Sequence, residues 1–199
     1  MAGTVLLGCA GLVAGWLARS VLARLPRGVR VRAGWCELGV AMLWAVSGWA
    51  GAWTPALLGL GWLAVALTAT DIAHRRLPDA LTLPAAPVAV LLLVPAGGQV
   101  VLRAVLGAGL LVAVHAAVHL VAPAALGAGD VKLAGAVGAV LSGVSWSALL
   151  LGPALAVLVT AAVAVAGLLA GRLRPSDPLP HGPAMLASTW VLAVLAHGS

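Results

Sequence analysis

The chain has 199 residues, of which 63% are hydrophobic and only 8% charged, with a formal net charge of +6 and a mean hydropathy of +1.14. A soluble globular domain is about 45–50% apolar and about 25% charged, so a soluble enzyme and a nucleic-acid-binding domain are both excluded. What is left is an all-α, polytopic integral-membrane helical bundle with small loops, in which residues 1–199 form one transmembrane domain.

Eight apolar segments, each bounded by charge, Pro or Gly, are predicted at 3–22, 34–53, 55–71, 83–96, 99–121, 130–145, 147–170 and 184–197. A helix needs about 20 residues to cross the hydrocarbon core. The fourth, sixth and eighth segments are short for that, so the expectation is about eight transmembrane helices, with six or seven as alternatives. No Lys or Arg precedes the first segment, and the first basic residue is Arg19. The start therefore does not read as a cleavable signal peptide, and the N-terminus is expected outside. With eight spans the C-terminus is outside too.

The gaps that follow on the inside are 23–33, 72–82, 122–129 and 171–183. They carry Arg24, Arg27, Arg30, Arg32, Arg75, Arg76, Arg172 and Arg174, with Arg19 and Lys132 at their edges. Only Arg103 falls outside. This asymmetry is what the positive-inside rule requires of a multi-pass protein in a cell membrane. Near the span ends, Trp16, Trp35, Trp53, Trp146 and Trp190 read as an interfacial belt. Gly135 with Gly138, and Gly107 with Ala108, are read either as helix–helix contact points or as lipid-facing filler. Cys9 and Cys36 form no C-x-x-C pair, so they suggest no disulfide framework and no zinc site. Both read as small apolar residues, and no metal or cofactor is expected. His115 and His119 lie four apart on one helix face and read as a buried polar pair. His74 reads as an exposed loop histidine.

Only five residues are acidic. Asp177 lies in a plain loop. Glu37 follows a basic gap and is expected to pair with Arg30 or Arg32. Asp79 follows Pro78 in a turn, where an Asp commonly caps the next helix. Asp71 and Asp130 differ from these. Asp71 ends an apolar run, Trp62 to Thr70, and Asp130 begins one, after Gly127-Ala-Gly129. Both fall at the cytoplasmic end of a span, where a carboxylate is costly and marks a functional site. Two carboxylates brought within a few ångström share one proton. One can then act as general base on a water and the other as general acid to a leaving amide. The Gly-x-Gly before Asp130 would let a substrate backbone come close. Lys132 lies two positions on, about 200° around a helix from Asp130, and is read either as a snorkelling anchor or as a group that holds the loop.

The stretch Asp71-Ile-Ala-His-Arg-Arg-Leu-Pro-Asp-Ala-Leu-Thr-Leu-Pro84 resembles the first signature of the type IV prepilin leader peptidases. Gly127-Ala-Gly-Asp-Val-Lys-Leu133 resembles their second, and Pro180-His-Gly-Pro183 their late Pro-Phe-Gly-Pro turn, with His181 in place of Phe. The segment from Gly11 to Gly28 resembles their first span and its Arg-Leu-Pro exit. The resemblance implies a membrane aspartic endopeptidase that removes the short basic leader of prepilins or pseudopilins at the cytoplasmic face. Its partners are that leader with its apolar helix, and the lipid bilayer; no nucleic acid is expected. Asp71 and Asp130 match the catalytic pair. Residues 71–82 and 122–132 are the active-site segments, with Pro78, Asp79, Gly127, Gly129, Lys132, Gly182 and Pro183 shaping the site. Many bacterial members also methylate the new N-terminus, using a cytoplasmic insertion with two C-x-x-C pairs. Here the loop 23–33 is short and Cys36 stands alone, which puts methyl transfer in doubt. The rival reading is a transporter or channel subunit in which the two aspartates relay protons.

Overall fold

A computed structural model describes residues 2–25, 29–74, 77–123, 126–174 and 179–197. Each predicted apolar segment becomes a helix. These are α1 (Ala2–Arg24), α2 (Trp35–Ser47), α3 (Thr54–His74), α4 (Asp79–Leu92), α5 (Gly98–Val121), α6 (Ala128–Val144), α7 (Trp146–Leu169) and α8 (Gly182–His197). Short 3-10 turns at Gly51–Trp53 and Val94–Ala96 lead into α3 and follow α4. The predicted second segment, 34–53, is divided. Gly48 and Gly51 take left-handed backbone, with φ of 59° and 55°, which glycine adopts without strain, and α2 stops at Ser47.

Among the described residues, five helical stretches are long and apolar enough to cross a membrane: α1, α3 and α4 each with its 3-10 turn, α5 and α7. The helices α2, α6 and α8 are shorter. Pro84 and Pro87 inside α4 and Pro153 inside α7 are tolerated where neighbouring helices satisfy the freed backbone groups.

The bundle is organised around α6. Every residue from Leu133 to Gly143 is buried, and α4, α5, α7 and α8 all pack on it. A helix buried all round must be narrow somewhere to admit so many neighbours. Here the narrow sides face α5 at Gly138 and α4 at Gly135. A Cβ at Gly138 would lie 2.5 Å from the Gly107 carbonyl oxygen, and one at Gly135 would lie 2.8 Å from Ala86 Cβ. These glycines are therefore contact points and not filler. The Ser142 hydroxyl donates to the Arg103 carbonyl at 2.8 Å and fastens the same pair of helices.

A smaller core joins α1, α2 and α3 through Ala18, Leu22, Cys36 and Ala66. Trp62 donates its indole N–H to the Ala14 carbonyl at 3.0 Å. A Cβ at Gly15 would lie 2.4 Å from the Cys36 carbonyl oxygen. That close approach lays Arg19 beside Glu37, and Arg19 Nε meets Glu37 Oε1 at 2.6 Å. The expected partner of Glu37 was Arg30 or Arg32; the register of α1 on α2 supplies Arg19 instead. Trp16, Trp35 and Trp146 are exposed, as a belt requires, but Trp53 is buried and stacks on His197 with ring centroids 4.0 Å apart. Trp53 therefore leaves the belt, because its ring fills the space at the end of α8. Arg27, Arg75, Arg76 and Asp177 lie outside the described residues.

Candidate active site

Successive helices alternate in direction, so α3 ends where α4, α6 and α8 begin. The two acidic segments meet there. Asp71 occupies the last turn of α3 and is only 6% exposed, whereas the next three residues, Ile72 to His74, are exposed. His74 is thus exposed as expected, though at a helix end. Asp130 is the third residue of α6 and is half-buried. Gly127 is its N-cap, and a Cβ there would lie 3.4 Å from Asp130 Oδ2. The carboxylate therefore folds back over the Gly-x-Gly turn that the sequence singles out.

Leu77 holds the pieces together. A Cβ at Gly129 would lie 3.3 Å from Leu77 Cβ, and one at Gly182 would lie 3.3 Å from Leu77 Cδ1 and 3.4 Å from Asp71 Oδ2. The side chain of Leu77 thus wedges between the start of α6 and the start of α8, with the Asp71 carboxylate on the same glycine. A methyl on either glycine would have to displace this wedge. Pro183 follows Gly182 in the first turn of α8. Pro78 is the extended N-cap of α4 and is buried.

Asp79 does not cap α4; it is the first helical residue, and no side-chain capping bond is made. It accepts instead from Lys132 Nζ at 2.5 Å. The pair is well exposed, so its net worth is about 0.2–1 kcal/mol. Its effect is to tie the first signature segment to the second. Lys132, read either as an anchor or as a group that holds the loop, thus makes a contact to the first residue of α4.

The two histidines of α5 do not form a pair. His115 Nδ1 bonds the Leu111 carbonyl of its own helix at 3.0 Å. His119 Nδ1 reaches the Leu126 carbonyl at 2.7 Å and steadies the approach to Gly127. Their shared helix face is real, but each finds a nearer backbone acceptor. His181 Nδ1 lies 2.9 Å from the Thr160 hydroxyl. Thr160 sits about two and a half turns inside α7, so the start of α8 is sunk below the end of its neighbour.

Among the described residues, neither Asp71 nor Asp130 has an ion-pair partner. Among the described residues, Asp130 acts electrostatically on Asp71, and His181 and His115 act on Asp130. No group of three His, Cys, Asp or Glu side chains is placed to hold a metal ion among the described residues. Two carboxylates within electrostatic reach at a glycine-lined end of a bundle can divide the roles of acid and base on one water. The residues missed in the sequence are Leu77 and Thr160. Nothing local distinguishes either from the many other leucines and helix threonines.

Residues 57–171 match the type IV leader peptidase family. Over 160 residues the chain is 34% identical to the prepilin leader peptidase/N-methyltransferase of Aeromonas hydrophila, covering 78% of this chain and 53% of that protein. The protein of the same name from Aeromonas salmonicida (strain A449) is 34% identical over 143 residues, covering 69% and 48%. The chain spans about half the length of the curated relatives it matches. No solved structure matches it.

Proposed function

Because the chain belongs to the type IV leader peptidase family, we propose that it is a membrane aspartic endopeptidase that removes the short basic leader of prepilins or pseudopilins at the cytoplasmic face, with Asp71 and Asp130 as its catalytic pair. The observation that carries this reading is the convergence at Leu77 and Gly182. Two acids 59 positions apart come to one end of the bundle, and among the described residues neither is held in an ion pair. Their depth also favours it over a proton relay, whose carboxylates belong nearer the midplane. Asp71 and Asp130 both lie within about one turn of a helix end.

In this reading one carboxylate is ionised and the other protonated. The ionised one takes a proton from a water as the water oxygen adds to the scissile carbonyl carbon. The protonated one gives its proton to the peptide nitrogen as the C–N bond breaks. The products are the carboxyl end of the leader and the free amine of the pilin. Each proton transfer contributes on the order of 10²–10⁴ in rate. Gly127, Gly129 and Gly182 keep the walls low enough for an extended backbone to approach. Only cleavage is assigned to this chain. The loop 23–33 has no C-x-x-C pair, and Cys36 packs in the α1–α2–α3 core.

The test uses the full chain in membranes with a prepilin added. Mass spectrometry should find the leader released by cleavage just before the apolar helix. An intact prepilin after prolonged incubation with well-inserted enzyme would overturn the reading. Reporter fusions near Gly97 should report outside and those within 122–129 inside; the reverse would deny the site access to cytoplasmic leaders.

A further inference from the structure

One cavity lies not at the carboxylates but beside residues that flank Asp71 and Gly182. It is a groove of about 880 Å³ whose floor is α3 and whose walls are α2 and α8. On the floor, Ala64, Thr68 and Ile72 recur every four residues along one helix face. On one wall, Pro183, Ala187 and Val191 do the same. Ile72 adjoins Asp71, and Pro183 adjoins Gly182, the glycine that touches the Asp71 carboxylate. One end of the groove is therefore bounded by the chain neighbours of Asp71 and Gly182. We propose that this groove seats the membrane-embedded apolar helix of the polypeptide substrate and delivers its cytoplasmic end to Asp71. The proposal rests on the leader-peptidase reading and adds to it where the substrate lies.

Dimensions argue for a helix. The floor from Ala64 to Ala73 rises about 14 Å, so the volume corresponds to a width of about 9 Å, against about 10–12 Å for a helix with its side chains. A helix would sit nearly two-thirds embedded, and the space is wider than a single acyl chain fills. Small residues on both flanks let two helix backbones approach closely, which is how helices associate in lipid. Ala69 and Ala73 on the floor and Ala187 on the wall serve this purpose. Charge sets the register. Among the described residues, Arg32, in the segment leading into α2, is the one Lys, Arg, Asp or Glu that lines the groove. An apolar stretch is accepted along the floor, while a basic leader is repelled at this mouth and stays on the water side, so the boundary between them falls beside Asp71. A second cavity, about 300 Å³ and lined chiefly by α3, α4 and α6, has no ionisable residue in its lining and no chain neighbour of either carboxylate.

Photocrosslinking tests this with the full chain in membranes. Benzoylphenylalanine replaces Ile72 or Ala187 in the groove, Val88 in the smaller cavity, or Leu150 on an exposed face of α7. The probe is a model prepilin with a basic leader and one apolar helix, and its trimming by the unmodified chain is measured in parallel. Capture of the apolar helix at positions 72 and 187 should exceed that at 88 and 150 at least tenfold. Equal capture at all four sites, capture chiefly at 88, or capture of lipid alone at 72 and 187 would overturn the groove. Trimming without groove capture overturns the groove and leaves the peptidase. Groove capture without trimming leaves the groove as a helix-docking site and overturns the peptidase. As a second measurement, Ala187→Trp, which fills the groove from an exposed position, should raise KM for the prepilin at least tenfold; an unchanged KM would overturn the proposal.

Discussion

Glu37 and Asp71 are both acids near the same face of the bundle, and their surroundings are opposite. Glu37 accepts from Arg19 Nε at 2.6 Å and from the Gly34 amide at 2.9 Å. Asp71 is more deeply buried, and no cation among the described residues meets it; another carboxylate lies within its electrostatic reach instead. Asp79 and Asp130 repeat the contrast, the first paired with Lys132 and the second with no ion-pair partner among the described residues. Burying a charge without a partner is costly, so a fold gains nothing in stability from acids of the second kind. Among the described residues, the acids of this small protein thus fall into two that fasten helices and two that are held in no ion pair.

The sharpest way to break this division, short of removing the acids themselves, is to move one of them. Gly182→Val places two extra carbons where a Cβ would already lie 3.4 Å from Asp71 Oδ2. A misplacement of about 1 Å costs about 100-fold in rate, so leader removal per inserted molecule should fall about 100-fold. A full rate in this variant would mean that Asp71 is not at the reacting bond. A smaller effect is expected at the paired acids of the rim. Asp79→Asn and Lys132→Met should each slow cleavage no more than about fivefold and lower stability by about 0.2–1 kcal/mol, read from initial rates and thermal unfolding in detergent. If Asp79→Asn were as damaging as a change at Asp71, ion pairing would no longer separate the two kinds of acid. Glu37→Gln should leave the rate unchanged and weaken the α1–α2 contact by about 1–2 kcal/mol, visible as a lower melting temperature alone. The smallest effect is expected of Cys9→Ala with Cys36→Ala, and of added chelator. Neither should alter cleavage, and loss of activity in an inserted double variant would point to a thiol in the mechanism.

The helices could be read from the sequence because apolar runs in this chain end abruptly at Arg, Pro or Gly. The predicted 99–121 and 147–170 fall almost on Gly98–Val121 and Trp146–Leu169. The two candidate acids stand out in the sequence for the same reason: few charges exist, so each is conspicuous. What could not be read depends on how one helix lies against another. Arg19 rather than Arg30 meets Glu37 because Gly15 lets α1 and α2 touch at the backbone. Lys132 points away from Asp130 on α6, as its spacing requires, and so reaches Asp79 on the neighbouring α4. Leu77 carries no local mark of its position between Gly129 and Gly182. Trp53 looks interfacial by position along the chain, yet packs on His197 from the far end of the sequence.

The most direct measurement compares the rates of Asp71→Asn, Asp130→Asn and the double variant, with insertion of each checked by blot. Asn keeps size and polarity and removes the titrating group. If the two acids act as one unit on one water, each single change should abolish leader removal, by at least about 10³-fold, and the double variant should be no slower than either single one, since groups that act together are not additive. Normal cleavage by either single variant, or a double variant slower than both singles by the product of their separate losses, would contradict the account.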